Sequence, residues 1–401
     1  MDTNNATDAS LQKALALLEN IPFIDGHNDL PLRIKSDKRS RGDILKYDLT
    51  TIHEGADTDI PRLREGRVSA QIWACFTPGN PKNGAVKTLE LIDLVRRMND
   101  AYPETFLAAT CAADVAKAKS LGKIASFIAV EGGTGLENNL APLRIWYAAG
   151  ARLMTLCHNE TLDWIDSATD VARHGGLTNF GKAVVGELNR LGMLVDCAHV
   201  APSVMHQVLD ISEAPVVFSH SNAFSLCDHP RNVPDDVLAR VKDNNGIVMA
   251  TFIPAFISQA SRDWLKVAED GYGKLPPGGR VNHDFITKRE QEAGPWPLGN
   301  LDELVQHIEY IVDKTSLAHV GIGCDFYNGP MPDGLKDVTC YPHILAALIR
   351  RGWSDDAIAD IASGNFVRVF TDVERVAKEL QQSRPPAIGS IADFDGEPAS
   401  A

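Results

Sequence analysis

Eight apolar runs of six to nine residues recur along the chain, most of them preceded by a stretch with helical spacing of its apolar positions. The runs are Pro22–His27, Ser69–Phe76, Lys123–Glu131, Arg152–His158, Met193–His199, Pro215–His220, Gly246–Phe252 and His319–Asp325. They are rich in Val, Ile, Phe and Ala and read as buried strands. Between them, Ala85–Ala101, Leu140–Ala149, Phe180–Leu191, Pro202–Ile211, Pro234–Lys242 and Leu301–Lys314 read as helices, and Ser354–Ser363 and Asn365–Gln382 follow the last strand. Strands alternating with helices imply parallel pairing through right-handed crossovers. Eight such units predict an α/β fold, a closed (β/α)8 TIM barrel. A doubly wound open sheet is the alternative.

Two connections are long. Arg33–Leu63, after strand 1, is polar, and Ser258–Asn300, after strand 7, is rich in Gly and Pro, with Pro276-Pro277-Gly278-Gly279 and Pro295-Trp296-Pro297. Loops of this length are lids, binding loops, interface elements or inert surface excursions. Leu11, Ala14, Leu15 and Leu18 follow helical spacing after Ser10, so residues 1–20 are expected to form an amphipathic helix, 21–383 a single domain and 384–401 a tail.

Composition narrows the partners. The 401 residues carry 53 acidic and 39 basic side chains, a formal net charge of -14, which argues against nucleic acid and anionic membrane. No apolar run reaches the ~18 residues of a membrane helix, and neither a basic leader nor an anchor signal is visible. The seven cysteines include no Cys-x-x-Cys pair. Isolated cysteines in apolar runs fit a reducing compartment, so a cytoplasmic location without a membrane anchor is expected.

The chemistry gathers at the strand ends. His27 and Asp29 close the first strand, and side chains two apart on an extended segment point the same way. Glu131 ends the third, His158 the fourth, His199 the fifth, His220 the sixth and Asp325 the eighth. In a barrel these positions converge on the C-terminal mouth. The types suit divalent transition metal, most naturally zinc. Three histidines and two carboxylates exceed one open tetrahedral site but suffice for two ions if a carboxylate bridges. Glu131 is the natural bridge: His27, Asp29 and Glu131 would hold one ion, and Glu131, His199 and His220 the other. Such a pair of ions can share a hydroxide and polarise a carbonyl. His53, His174, His206, His229, His283, His307, His319 and His343 fall in loops or helices and take a structural reading.

Seven motifs in order, from about Ile21 to Val373, resemble the membrane (renal) dipeptidases, binuclear zinc peptidases with an amidohydrolase-like barrel. They are Asp25-Gly26-His27-Asn28-Asp29-Leu30-Pro31, Glu131-Gly132-Gly133, Arg152 to His158, Gly192 to Val200, Ser219-His220-Ser221, Arg231 to Asp236 and Gly323-Cys324-Asp325-Phe326. The resemblance implies a zinc-dependent dipeptidase that cleaves small dipeptides through a metal-bridging hydroxide. It implies His27, Asp29, Glu131, His199 and His220 as metal ligands and Asp325 as the proton shuttle. It also places His158 at the reacting carbonyl and Arg231 on the substrate's terminal carboxylate. The resemblance and the long loops suggest a homodimer.

The family commonly has Asp-Phe-Asp-Gly where this chain has Asp325-Phe326-Tyr327-Asn328-Gly329, without the second Asp and one residue longer. That departure leaves open a related metal-dependent hydrolase acting on N-acyl amino acids, lactones or β-lactams. A non-catalytic binding protein on the same barrel would have lost ligands, yet all five metal candidates and Asp325 are present.

Overall fold

The computed structural model describes residues 3–79, 82–272, 283–326 and 329–396. Tyr327 and Asn328, the centre of the departure above, and Pro276 to Gly279 lie outside them. The strands are β1 (Ile24–Asn28), β2 (Ala70–Phe76), β3 (Phe106–Ala108), β4 (Ile124–Glu131), β5 (Ala151–Thr155), β6 (Leu194–Asp196), β7 (Val217–Phe218), β8 (Ile247–Ala250) and β9 (Val320–Ile322). All pairings are parallel, in the order β1-β2-β4-β5-β6-β7-β8-β9. The ends of β1 and β9 complete the ring. Asp325 N donates to His27 O at 3.2 Å and Asp29 N to Phe326 O at 3.4 Å. The architecture is therefore a nearly closed (β/α)8 barrel, as the alternation predicts, and not an open sheet.

β3 is the strand the apolar pattern does not reveal. It is three residues long, too short for a period, and pairs with Ile124–Ser126 of β4. β5 pairs with the same strand only from Ile128 onwards, so β3 covers the edge that β5 leaves free. β4 itself is buried at all eight positions, which is why it reads as a continuous apolar run instead of an alternation.

Two packed layers position the site. Inside the barrel, Ile72, Phe127, Leu153, Leu194, Val217 and Met249 meet Phe366, Val369, Phe370 and Val373 of the helix Asn365–Ser383. That helix seals the N-terminal end, leaving the C-terminal mouth for chemistry. Outside the barrel, amphipathic helices cover the strands. Leu301–Lys314 shows the local logic: Asn300 Oδ1 caps Glu303 N, Asp302 and Glu303 occupy the first turn, and Leu304, Val305, Ile308 and Ile311 face inward.

The expected polar loop 33–63 is instead largely built into the core. It carries the helices Leu30–Ser36, Ile44–Tyr47 and Ile60–Glu65, and Ile34, Ile44, Tyr47, Leu49 and Leu63 are buried. Its apolar residues are spaced by short turns, so no helical period accumulates. Helices Gln259–Tyr272 and His283–Ala293 occupy the other long excursion. Tyr341–Arg350 is a further helix that the sequence reading does not include; seven of its ten residues are buried, and the N-terminal helix Thr3–Asn20 packs on it. Residues 385–396 dock on the barrel: Leu140 N donates to Gly389 O at 3.1 Å and Ile391 N to Asn138 O at 2.8 Å. Among the described residues no helix is long and apolar enough to cross a membrane.

Candidate metal centre

Each strand end delivers its side chain to the mouth, and the mouth is tight. His27, Asp29, Glu131, His199, His220 and Asp325 are all at most 7% exposed. Three sets among them, His27–Asp29–Glu131, Glu131–His199–His220 and His27–His220–Asp325, each bring their ligand atoms within 4.8 Å of one another. His199 and Asp325 adopt φ of +70° and +63°, a backbone region costly for residues other than glycine. At both positions the chain turns sharply off its strand, and the strain aims the side chain into the centre. Gly323 allows β9 to approach: a Cβ there would stand 1.8 Å from Ser219 O.

Glu131 joins the two halves. Its Oε2 lies 3.5 Å from His27 Nε2, while its Oε1 lies 3.3 Å from His199 Nε2 and 3.8 Å from His220 Nε2. The two histidine Nε2 atoms on the second side are 3.0 Å apart, converging on one point. Their other nitrogens are tied behind. His199 Nδ1 donates to Asn159 Oδ1 at 3.0 Å, since an amide oxygen only accepts. His220 Nδ1 meets Ser219 Oγ at 2.7 Å, and that hydroxyl donates to Asp196 Oδ2 at 2.6 Å. Asp196 Oδ2 also accepts from Thr155 Oγ1 at 2.6 Å, and its Oδ1 from Ala198 N and Ser219 N. Both rings therefore carry the proton on Nδ1 and turn the Nε2 lone pair inward.

Electrostatics agree with a cation-binding role. Burial first, then Arg231 with His158 for one ring and His27 with Arg231 for the other, hold His199 and His220 well below the usual imidazole range, so their lone pairs are free for a metal. Burial also disfavours a charge on His27, but Glu131, Asp325 and Asp29 outweigh it and carry its pKa to about 10. Among the described residues neither nitrogen of His27 has a hydrogen-bond partner. A ring among three carboxylates, with Glu131 Oε2 3.5 Å from its Nε2, is suited to a metal in the proton's place. Burial, with Asp29 and Glu131 adding to it, pushes Asp325 well above the usual carboxyl range against the pull of His27 and Arg231. The residues present thus fit divalent metal.

His158 lies between Phe76 and His199, with ring centroids 4.3 and 4.2 Å away, and its Nε2 is 3.8 Å from Glu131 Oε1. Burial lowers its pKa to about 4. Arg231 is buried, donating to Ser221 Oγ at 3.5 Å and His220 O at 3.3 Å. Burial lowers its pKa to about 10, against the pull of Asp325 and Glu131. The structure thus brings all eight sequence-derived candidates to one mouth.

Asp25 is not aimed at the centre. Its Oδ1 accepts from Cys324 N at 2.9 Å and His27 N at 3.3 Å, and its Oδ2 from Gln71 Nε2 and Tyr341 OH at 2.8 Å each. It clasps the ends of β1 and β9. Sequence reasoning does not find Asn159, Asp196, Ser219 or Thr155. Asn159 and Ser219 are chain neighbours of His158 and His220, and Asp196 sits three before His199, which is the only signal available. The structural reading of the remaining histidines holds for His307, whose Nδ1 accepts from Ala223 N at 3.1 Å and whose Nε2 donates to Ile257 O at 3.1 Å, and for His319, bonded to Gly246 O at 2.8 Å.

Comparison with known proteins places this geometry. Residues 11–384 match the family model of the membrane dipeptidases, peptidase family M19. Dipeptidase 3 of Rattus norvegicus is 36% identical over 382 residues, covering 93% of this chain and 69% of that protein. The probable dipeptidase PvdM from Pseudomonas aeruginosa superposes with a TM-score of 0.79 at 26% identity, over 92% of this chain and all 100% of that one. A Rhodobacter sphaeroides metallo peptidase, solved with a phosphinate mimic of the dipeptide L-Ala-D-Ala, shares the fold with a TM-score of 0.71 at 22% identity, over 88% of this chain and 99% of that one.

Proposed function

This chain belongs to the membrane dipeptidase family, peptidase family M19, and is a metallopeptidase; on that premise we propose that it hydrolyses small dipeptides with two zinc ions, sharing Glu131 as a common ligand. The observation that carries the reading is the Glu131 carboxylate, whose two oxygens face two separate ligand sets, His27 on one side and His199 with His220 on the other. Asp29 completes the first set. When bound, divalent ions there supply Lewis-acid polarisation of the carbonyl and lower the pKa of water.

The chain's own residues do the rest. Arg231 receives the substrate's free carboxylate; its burial beside His220 makes the pairing strong and directional. His158, packed between two rings, presents Nε2 to the reacting carbonyl and keeps that side of the mouth dry. Asp325 takes a proton on the attacking side and delivers it to the leaving amine. Its Oδ1 lies 3.8 Å from His27 Nε2, beside the point that the two ligand sets face.

The test is metal content and hydrolysis together. Purified protein should hold about two zinc per chain and cleave L-L or L-D dipeptides, the latter included because a relative binds the L-Ala-D-Ala mimic. Chelation should abolish cleavage and zinc should restore it. Full activity in metal-free protein would remove the two-metal reading.

A further inference from the structure

If Arg231 holds the carboxylate, the direction of the substrate is set. Arg231 follows β7 in the chain and lies against His220. With its carbonyl near Glu131, a dipeptide must send its first residue to the opposite side of the mouth, over the ends of β2, β4 and β5. A cavity of about 760 Å³ lies there. Its walls come from the segments after those three strands: Gly79 after β2, Gly133 and Glu137 after β4, and Glu160, Asp163 and Arg173 after β5.

Glu160 stands where the cavity meets the centre. Its Oε2 is 4.0 Å from His158 Nδ1 and accepts from Gly79 N at 3.1 Å. The space for this side chain exists because position 79 is glycine: a Cβ there would come within 2.5 Å of Glu160 Cβ. Glu160 Oε1 is buried and has no hydrogen-bond partner among the described residues. Neighbouring wall groups are already engaged. Glu137 accepts from Ala85 N at 3.1 Å, Asp163 from Asn138 Nδ2 at 2.8 Å, and Arg173 donates to Thr161 O. An acceptor left without a donor in such a place is unfavourable, and an incoming cation removes the cost.

The substrate's own α-amino group is a poor candidate for that cation. It is two bonds from the reacting carbonyl, whereas Glu160 lies behind the His158 ring as seen from Glu131. A long side chain on the first residue has the reach that the α-amino group lacks. We propose that this cavity receives the side chain of the first residue of the dipeptide, and that Glu160 selects a basic one, lysine or arginine. The inference rests on the dipeptidase reading above.

The experiment compares kcat/KM of the zinc-loaded enzyme for Lys-Ala, norleucyl-Ala and Glu-Ala. Lysine and norleucine side chains differ chiefly in the terminal charge. The parent enzyme should favour Lys-Ala over norleucyl-Ala at least about tenfold, as a charge-assisted hydrogen bond implies. Glu160→Gln should bring that ratio near one, and Glu160→Lys should turn the preference towards Glu-Ala. Gly79→Ala, which displaces Glu160 without changing its charge, should also lower the Lys/norleucine ratio. Equal rates for Lys-Ala and norleucyl-Ala in the parent, or an undiminished ratio in Glu160→Gln, would overturn the selection by Glu160 and leave the dipeptidase reading standing. No cleavage of any of the three would overturn both.

Discussion

Ser219→Ala isolates the support behind one metal ligand. The hydroxyl links His220 Nδ1 at 2.7 Å to Asp196 Oδ2 at 2.6 Å, and all three residues are fully buried. Without it the buried Nδ1–H has no acceptor. The imidazole can then move its proton to Nε2, removing the lone pair that faces Glu131. Loss of an outer partner of this kind weakens metal binding by about 10–100-fold, or roughly 1.4–2.8 kcal/mol. The loss should fall on one ion only. The hydroxyl serves His220, which belongs to the second ligand set, and Asp196 keeps its bonds to Thr155 Oγ1, Ala198 N and Ser219 N, so the strand ends stay in place. A zinc titration against a chromophoric chelator should show one of the two equivalents weakened and the other within about twofold of the parent. A titration superimposable on the parent, or equal weakening of both equivalents, would refute the reasoning.

Asp325→Asn should retain both ions and lower kcat by about 10²–10⁴-fold, the usual worth of a positioned proton carrier; unchanged turnover would remove its proton-transfer role. Arg231→Ala should reduce kcat/KM for dipeptides with a free carboxylate far more than for C-terminally amidated ones, and equal losses would contradict carboxylate recognition. Asp395 accepts from Asn179 N at 2.8 Å and Phe180 N at 3.1 Å, capping the helix Asn179–Leu191 from the far end of the chain. Asp395→Ala should therefore cost about 1 kcal/mol, read as a lowered urea midpoint, with dipeptide turnover unchanged. A loss of turnover with no change in midpoint would be inconsistent with a purely structural cap.

Much of the site is legible before folding because every candidate except Arg231, which only the family resemblance supplies, sits at or just past the end of an apolar run. The barrel converts that single property, being last on a strand, into proximity, so His27, Glu131, His199 and His220 meet although they are far apart in sequence. The connections are less legible. Loop 33–63 is polar on average, yet Ile44, Tyr47 and Leu49 enter the core, because short turns leave no period to detect. Tyr341–Arg350 is missed although seven of its ten residues are buried, since its exposed side amounts to little more than His343 and Arg350.

The sequence by itself determined the alternation of the eight barrel strands with most of their covering helices, the eight strand ends and the residue types placed on them. Periodicity is local, and local geometry is enough to say which residues end a strand. Only the tertiary structure decided which atoms of those residues face one another. The split of Glu131 between His27 and the His199–His220 pair depends on side-chain orientation, as does the tautomer that Asn159 and Ser219 impose. So does the buried oxygen of Glu160 at the edge of the cavity. These are relations between distant strands, fixed by closure of the ring and not by any spacing along the chain.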